Sequence, residues 1–385
     1  MRILHTADLH LGKTVNEFSM LEDQKFLLQQ LLDVTAEKKV DAVVISGDIY
    51  DRSVPPEDAV SLLDGFLTAL SKRGIPVLLV SGNHDSAERL SYGSKLFAKS
   101  GIHIAGAFTG TMPCVTLTDA FGPVNFYLLP FVKASVVRYY HPDAEIAGYE
   151  DALRTVIGAA DIDPGARNIC LSHQFVTDGG KDPALSGSES NGAEEVGTVE
   201  RVGSSVYAPF DYTALGHIHG FQEMAGNTVV YSGSPLKYSL REIGQDKCFV
   251  LIDLGEKKDG KTDLAILRIP VKPLHEMRHI RGNLKDLLNH AEDTEDYIYA
   301  TLTDEEPILD AMSALRSVYP NAMKLDYENR RTRELAGEEE PGAPKERSFS
   351  QIAEDFAVQV TGEKLSEKEK ELLRACAVEA GILEA

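Results

Sequence analysis

The stretch Met1-Arg2-Ile3-Leu4-His5-Thr6-Ala7-Asp8-Leu9-His10-Leu11-Gly12 decides the reading. The run Ile3 to Ala7 reads as a strand, and the turn after it carries a carboxylate and an imidazole two residues apart. The same pattern of strand followed by hard ligands recurs four times. Asp41 to Ser46 runs into Gly47-Asp48-Ile49-Tyr50-Asp51, and Ile75 to Ser81 into Gly82-Asn83-His84-Asp85. Arg167 to Ser172 runs into His173-Gln174, and Tyr212 to Leu215 into Gly216-His217-Ile218-His219-Gly220. Helical spacing at 20–38, 57–73 and 86–100 separates the early strands, which is the alternation of βαβ units. Further strands at 102–105, 125–129, 228–232, 248–254 and 263–270 are too many for one sheet. The expected fold is α/β, two stacked β-sheets flanked by helices.

Loops leaving the carboxyl ends of strands in such sheets converge on one crevice. Each segment alone has an ordinary explanation. Asp8 and His10 fit an N-cap and a polar turn, Gly47-Asp48 a strand-to-turn junction, His84 a left-handed turn, and His173 a satisfied core imidazole. His217-x-His219 is sharper, because alternation along extended backbone aims both rings the same way. Five such signals, each at a strand end, are improbable as independent turns. Imidazoles, carboxylates and one amide suit Mn, Fe or Zn in two adjacent sites, whereas Mg or Ca prefers oxygen alone.

Composition bounds the rest. The 385 residues exceed the size at which a single core keeps growing, ~250–300 residues, so two or three domains are expected. We divide the chain into a catalytic unit at 1–270, a small α+β unit at 271–331, an acidic Pro/Gly linker at 332–347 and a helical pair at 348–385. In the first tail helix Phe349, Ile352, Ala353, Phe356, Ala357 and Val360 form one apolar stripe, which requires a partner surface. Residues 178–205 read as a long functional loop, a candidate lid. Four cysteines without C-x-x-C spacing fit a reducing compartment, and no apolar run reaches membrane-spanning length, so a cytoplasmic protein is expected. A net charge of -21 argues against nonspecific binding to phosphate backbones, although bound divalent ions reverse that sign locally.

The order D-x-H, G-D-x-x-D, G-N-H-D, H, G-H-x-H closely resembles the calcineurin-like metallophosphoesterases across residues 8 to 219. The opening twelve residues, Phe210-Asp211-Tyr212-Thr213-Ala214-Leu215-Gly216-His217 and Tyr231-Ser232-Gly233-Ser234-Pro235-Leu236-Lys237-Tyr238-Ser239 narrow the resemblance to the nuclease subunits of SbcCD-type complexes. Pro273-Leu274-His275-Glu276-Met277-Arg278 and Thr303-Asp304-Glu305-Glu306-Pro307 are similar to that family's DNA-capping domain. The resemblance implies two divalent metal ions, Mn2+ in this family, one held by Asp8, His10, Asp48 and His219 and the other by Asp48, Asn83, His173 and His217. It assigns His84 as proton donor to the leaving oxygen, with Asp85 beside it to orient the ring. Arg52, Lys13, Arg89, Lys237 and Arg241 are the candidate DNA contacts, each also readable as solvated surface charge.

The same resemblance implies a 3′–5′ exonuclease on duplex ends and an endonuclease on single strands and hairpins, serving DNA repair, recombination and replication. It implies as partners an SbcC-type coiled-coil ATPase that receives the tail, DNA ends and hairpins, and a second copy of the chain, with no membrane. The dimer face would be built from Leu62, Leu63, Phe66 and Leu70 on one helix and Tyr92, Leu96 and Phe97 on the next. The alternatives are a phosphatase or cyclic-nucleotide phosphodiesterase using the same metals, and a noncatalytic DNA-end scaffold.

Overall fold

The computed structural model describes residues 1–187, 201–328 and part of 365–373. The tail helix at 348–360 and the linker lie outside the described residues, as does the middle of the 178–205 loop.

Two six-stranded sheets are stacked face to face. The first runs in the order β16 (Lys261–Pro270), β15 (Cys248–Lys258), β1 (Arg2–Thr6), β4 (Ala42–Ser46), β5 (Val77–Val80), β6 (Ile102–Ala105). The second runs β13 (Gln222–Met224), β14 (Val229–Tyr231), β12 (Tyr212–Gly216), β9 (Arg167–His173), β8 (Gly122–Leu129), β7 (Cys114–Asp119). Two short pairs stand apart from them, β2 (Thr14–Val15) with β3 (Phe18–Ser19) and β10 (Phe175–Thr177) with β11 (Arg201–Gly203). In each large sheet the central strands are parallel and the hairpin strands at the edges antiparallel.

Period-two alternation sorts each central strand between two layers. Ala42 and Val44 of β4 join Ile3, Phe126, Leu171, Ala214 and Val250 in the apolar layer between the sheets. Val43 and Ile45 point the other way, under α1 (Leu21–Glu37) and α2 (Glu57–Lys72). Parallel strands covered on both faces need apolar residues throughout, and all five residues of β4 are buried. The edge strand β16 instead alternates exposed and half-buried positions. The outer face of the second sheet is covered by α5 (Ala134–Tyr140) and α6 (Tyr149–Gly158).

Two expectations are corrected here. The helix expected over 86–100 is broken into α3 (Ala87–Ser91) and α4 (Ser94–Phe97), because Gly93 between them adopts φ +73°, outside helical space. The expected dimer stripe is not one exposed face. Leu63, Phe66 and Leu70 of α2 point inward and are at most 5% exposed in the core beneath the helices, whereas Tyr92 and Leu96 are 83% and 69% exposed. Spacing four residues apart identifies a buried stripe without saying which body buries it.

Residues 277–327 form a separate layer. The parallel strands β17 (Met277–Gly282), β18 (Tyr297–Leu302) and β19 (Ala322–Tyr327) carry α7 (Leu284–Asn289) and α8 (Ala311–Arg316) on an apolar cluster of their own around Ile298, Ala300 and Leu315. Sequence pattern does not reveal β17, because Met277-Arg278-His279-Ile280-Arg281 lacks a continuous apolar run. The layer is tied to the sandwich through Asp23, whose carboxylate accepts from Tyr297 Oη at 2.7 Å and from His275 Nδ1 at 3.0 Å. Lys237 Nζ donates to Glu276 Oε1 at 2.6 Å across the same junction. In the described part of the tail, Glu369 Oε2 accepts from the Ser366 amide at 2.8 Å, one half of a capping box. No helix among the described residues is long and apolar enough to cross a membrane.

Candidate metal centre

The carboxyl ends of β1, β4 and β5 in one sheet and of β9 and β12 in the other open onto one crevice. The backbone there is bent to reach it. Asp8, His10, Asp48 and His217 all have positive φ, between 43° and 99°, a conformation unfavourable for residues with a Cβ and concentrated at functional sites. Gly47 has φ +88°, and a Cβ on it would sit 2.2 Å from His173 Nδ1. A Cβ on Gly216 would lie 1.9 Å from the Ser46 carbonyl oxygen. These two glycines therefore let the sheets approach closely enough for their ligands to meet.

Asp48 is the centre of the cluster. Its Oδ2 lies 3.4 Å from His173 Nε2, 3.7 Å from His10 Nε2 and 3.9 Å from His84 Nε2, while Oδ1 accepts from the His84 amide at 2.9 Å. On one side, His10 Nε2 and His219 Nε2 face each other at 3.1 Å, and Asp8 offers an oxygen to the same group. On the other, Asn83 Oδ1 lies 3.0 Å from His173 Nε2 and 3.1 Å from His217 Nδ1. The main-chain amide of His217 donates to both Asp8 oxygens, at 3.0 and 3.2 Å, and locks the two halves together.

This arrangement fits cations. His173 Nδ1 can only donate to the Ser46 carbonyl, 2.8 Å away, which leaves Nε2 facing Asn83 Oδ1 and Asp48 Oδ2. Three lone-pair-bearing atoms then converge, and positive charge has to sit among them. Two buried carboxylates have the same need, since burying ionised groups uncompensated is costly. Burial, reinforced by the charge of Asp48, raises Asp8 to about 6. Asp48 falls well below the usual carboxylate range because His173, His10 and His84 outweigh the upward push of burial. Burial would lower His173, yet Asp48 and Asp8 bring it up to about 9, so the site draws a proton or a metal ion.

The seven residues expected as ligands thus come together. His84 joins them, with Nε2 toward Asp48 and Nδ1 donating to the Asp51 carbonyl at 2.8 Å. Asp85 does not orient that ring. Its carboxylate accepts from the amides of Gly82 at 2.9 Å, Tyr50 at 2.9 Å and Ile49 at 3.1 Å, so it clamps the two ligand loops to each other. Burial and the nearby Asp48 raise Asp85 to about 6.

The expected DNA contacts separate. Lys13 Nζ donates to Asp51 Oδ1 at 2.6 Å and lies over the Tyr238 ring, and Arg52, more than half exposed, lies 4.0 Å from the same carboxylate. Both border the crevice. Lys237 is turned to Glu276, Arg241 packs against Gly187, and Arg89 lines a cavity with Tyr92 and Phe97. Sequence reasoning missed Tyr238, Glu242 and Lys247. Tyr238 packs edge-on to His10 and His219 and donates its hydroxyl to the Leu9 carbonyl. Glu242 and Lys247 stand behind His219. No local pattern marks Glu242 or Lys247, since their role exists only once β15 has folded back beside β1. Of the histidines outside the motifs, His141 Nε2 faces the Gly110 carbonyl at 2.9 Å and His279 Nε2 the Thr301 hydroxyl at 2.8 Å. His5, buried and lowered by that burial to about 3, meets the Tyr212 hydroxyl at 3.0 Å.

Residues 1–221 match the family model described as calcineurin-like phosphoesterase, and residues 273–361 one described as type 5 capsule protein repressor C-terminal domain. Over 331 residues the chain is 35% identical to the SbcD polypeptide of the SbcCD nuclease of Staphylococcus saprophyticus, covering 84% of each chain. Similar solved structures include a dimetal phosphatase from Danio rerio, at 14% identity, 71% of this chain, 99% of that one and a TM-score of 0.41. A Thermus thermophilus protein is also similar, at 14% identity, 69% and 97% coverage and a TM-score of 0.37.

Proposed function

The chain belongs to the calcineurin-like phosphoesterase family, and from that premise we propose that it is the nuclease subunit of an SbcCD-type complex, cutting DNA phosphodiesters with two Mn2+ ions. The observation that carries the reading is the pair of ligand groups meeting at Asp48, with His84 Nε2 facing the same crevice. The staphylococcal relative, a nuclease of the SbcCD complex, supports the substrate and the complex.

Asp8, His10, Asp48 and His219 would hold one ion, and Asp48, Asn83, His173 and His217 the other. Two divalent ions there would polarise a phosphoryl oxygen and lower the pKa of a water. The protein's own groups do the rest. With Nδ1–H committed to the Asp51 carbonyl, the His84 ring is held so that only Nε2 can carry a proton to the leaving sugar oxygen. Lys13 and Arg52 offer positive charge at the rim of an otherwise acidic chain. No recognition helix or basic aromatic strip is evident in the sequence, so backbone and ends, not base sequence, are what the enzyme reads.

The unit 1–270 is the nuclease, and 271–331 the layer that caps DNA. The segment 348–385 docks on the ATPase, and copies pair through the exposed Tyr92 and Leu96. The activities are 3′–5′ exonuclease on duplex ends and endonuclease on single strands and hairpins. End-labelled duplex, hairpin and a generic phosphodiester, each assayed with and without Mn2+, test this reading. Mn2+-dependent 3′–5′ shortening and hairpin opening are expected. Turnover of the generic ester alone would favour a small-substrate phosphodiesterase, and metal binding without turnover would favour a scaffold. Removal of 345–385 should abolish stable binding to the ATPase while sparing Mn2+-dependent cleavage of simple substrates.

A further inference from the structure

His219 is held differently from the other imidazoles of the centre. His173 and His84 each direct Nδ1 at a main-chain carbonyl, of Ser46 and Asp51, and His217 turns Nδ1 toward Asn83 Oδ1. His10 Nδ1 has the Asp51 carboxylate only at 3.6 Å. His219 Nδ1 faces the fully buried carboxylate of Glu242, with Oε1 at 3.4 Å. The second Glu242 oxygen accepts from Lys247 Nζ. Lys247 Nζ also lies 3.0 Å from the main-chain oxygen of His219, 3.0 Å from Ser234 Oγ and 2.9 Å from Gln245 Oε1, so its three N–H groups are shared among four acceptors. One lysine, its side chain 7% exposed, therefore grips His219 at its backbone and, through Glu242, at its ring. The Ser234 amide donates to the same His219 carbonyl at 3.1 Å.

The tautomer follows. His219 Nε2 faces His10 Nε2 at 3.1 Å, where two N–H groups would collide, so at least one ring must present a lone pair. A carboxylate at Nδ1 favours the proton on that nitrogen and leaves the Nε2 lone pair toward the crevice. An ionised buried carboxylate in turn needs the charge that Lys247 supplies. We infer that Glu242, charged and held by Lys247, is a positioning residue that fixes the ring and tautomer of His219 and so sets the affinity of the His10/His219 half of the centre, leaving the Asn83/His173/His217 half unaffected. This rests on the ligand assignment proposed above.

Titrating the metal-free full chain with Mn2+ by calorimetry, with histidine-nitrogen couplings to bound Mn2+ read by pulsed electron paramagnetic resonance, tests it. E242Q keeps the volume and a hydrogen-bond acceptor but removes the charge. It should weaken one class of Mn2+ site by ~10–100-fold and leave the other at wild-type affinity. The Mn2+ needed for half-maximal cleavage should rise in proportion, with kcat at saturating Mn2+ near normal. Because a lone buried Lys247 endangers folding, the double variant E242A/K247M removes both charges and should show the same selective loss in a protein with a cooperative melt. Equal weakening of both classes in E242Q would mean a merely structural role, and unchanged affinity in both would mean none. Either result overturns the inference while leaving the ligand set standing. H219A serves as the reference: selective loss of the same class supports the assignment, and two undiminished classes would overturn the ligand set and this inference with it.

Discussion

The two ends of the sandwich treat the same chemical problem, carboxylates at strand termini, in opposite ways. At the amino ends of the parallel strands, Asp119 accepts from Arg167 and lies 2.8 Å from the terminal ammonium of Met1, while Asp211 accepts from Lys257 Nζ at 3.1 Å and Thr262 Oγ1 at 2.7 Å. Each contact joins the second sheet to the first or braces the hairpin that does, and Arg167 also donates to the Gly255 carbonyl on β15. At the carboxyl ends, Asp8 and Asp48 are more deeply buried, yet the described ion pairs give them only imidazoles, with no lysine or arginine. One end is neutralised by the chain's own cations and holds the sheets together. The other leaves room for cations from solution and does chemistry. That division accords with the general placement of ligands at the carboxyl ends of α/β strands.

The contrast can be broken most severely at Asp48. Asp48→Asn should bring nuclease activity to background and remove both ions, whereas His217→Ala should cost one, because Asp48 is the residue assigned to both ions. Metal content by mass spectrometry separates them. Second in size is His84→Gln, which should slow cleavage by ~10²–10⁴-fold at saturating Mn2+ while both ions stay bound. Single-turnover rates beside metal content would show it, and metal loss equal to that of Asp48→Asn would contradict the role given to His84.

Stability effects should fall at the other end and in the layer between. Leu171→Ala, in the layer between the sheets, should cost ~2–5 kcal/mol in denaturant unfolding. Asp119→Asn should cost less, ~1–3 kcal/mol at neutral pH, with metal content unchanged. Its pH signature has a definite sign. Hydrogen bonding from Arg167 holds the Asp119 carboxyl below its ordinary value of 3.8, against the opposing effect of burial. Its contribution is therefore fully present above about pH 4 and lost as pH falls toward the folded-state value. The gap in melting temperature between wild type and Asp119→Asn should be constant from pH 7 to 5 and shrink below pH 4.

Much of this was legible in the sequence because the ligands of a metal centre are written locally. Asp8-x-His10, Gly47-Asp48, Asn83-His84 and His217-x-His219 each occupy a few residues after a strand, and strand ends converge by topology alone. What supports them is not local. Glu242 and Lys247 reach His219 through the return of β15 to the side of β1, and nothing in Arg241-Glu242-Ile243-Gly244-Gln245-Asp246-Lys247 announces it. Asp85 misled for the same reason. Adjacency to His84 suggested a partner, but at a tight turn neighbouring side chains diverge, and its carboxylate went to amides of the 47–51 loop. The α2 stripe showed its period but not its cover, since an apolar face reads the same whether it packs on a sheet or on a second copy.

Diffraction from Mn2+-soaked crystals at the manganese edge tests whether two cations would share Asp48 between the sheets, as proposed above. The account predicts two anomalous peaks flanking the Asp48 carboxylate, one beside His10 and His219 and the other beside Asn83, His173 and His217. A single peak at full occupancy under saturating Mn2+, or peaks removed from Asp48, would contradict it.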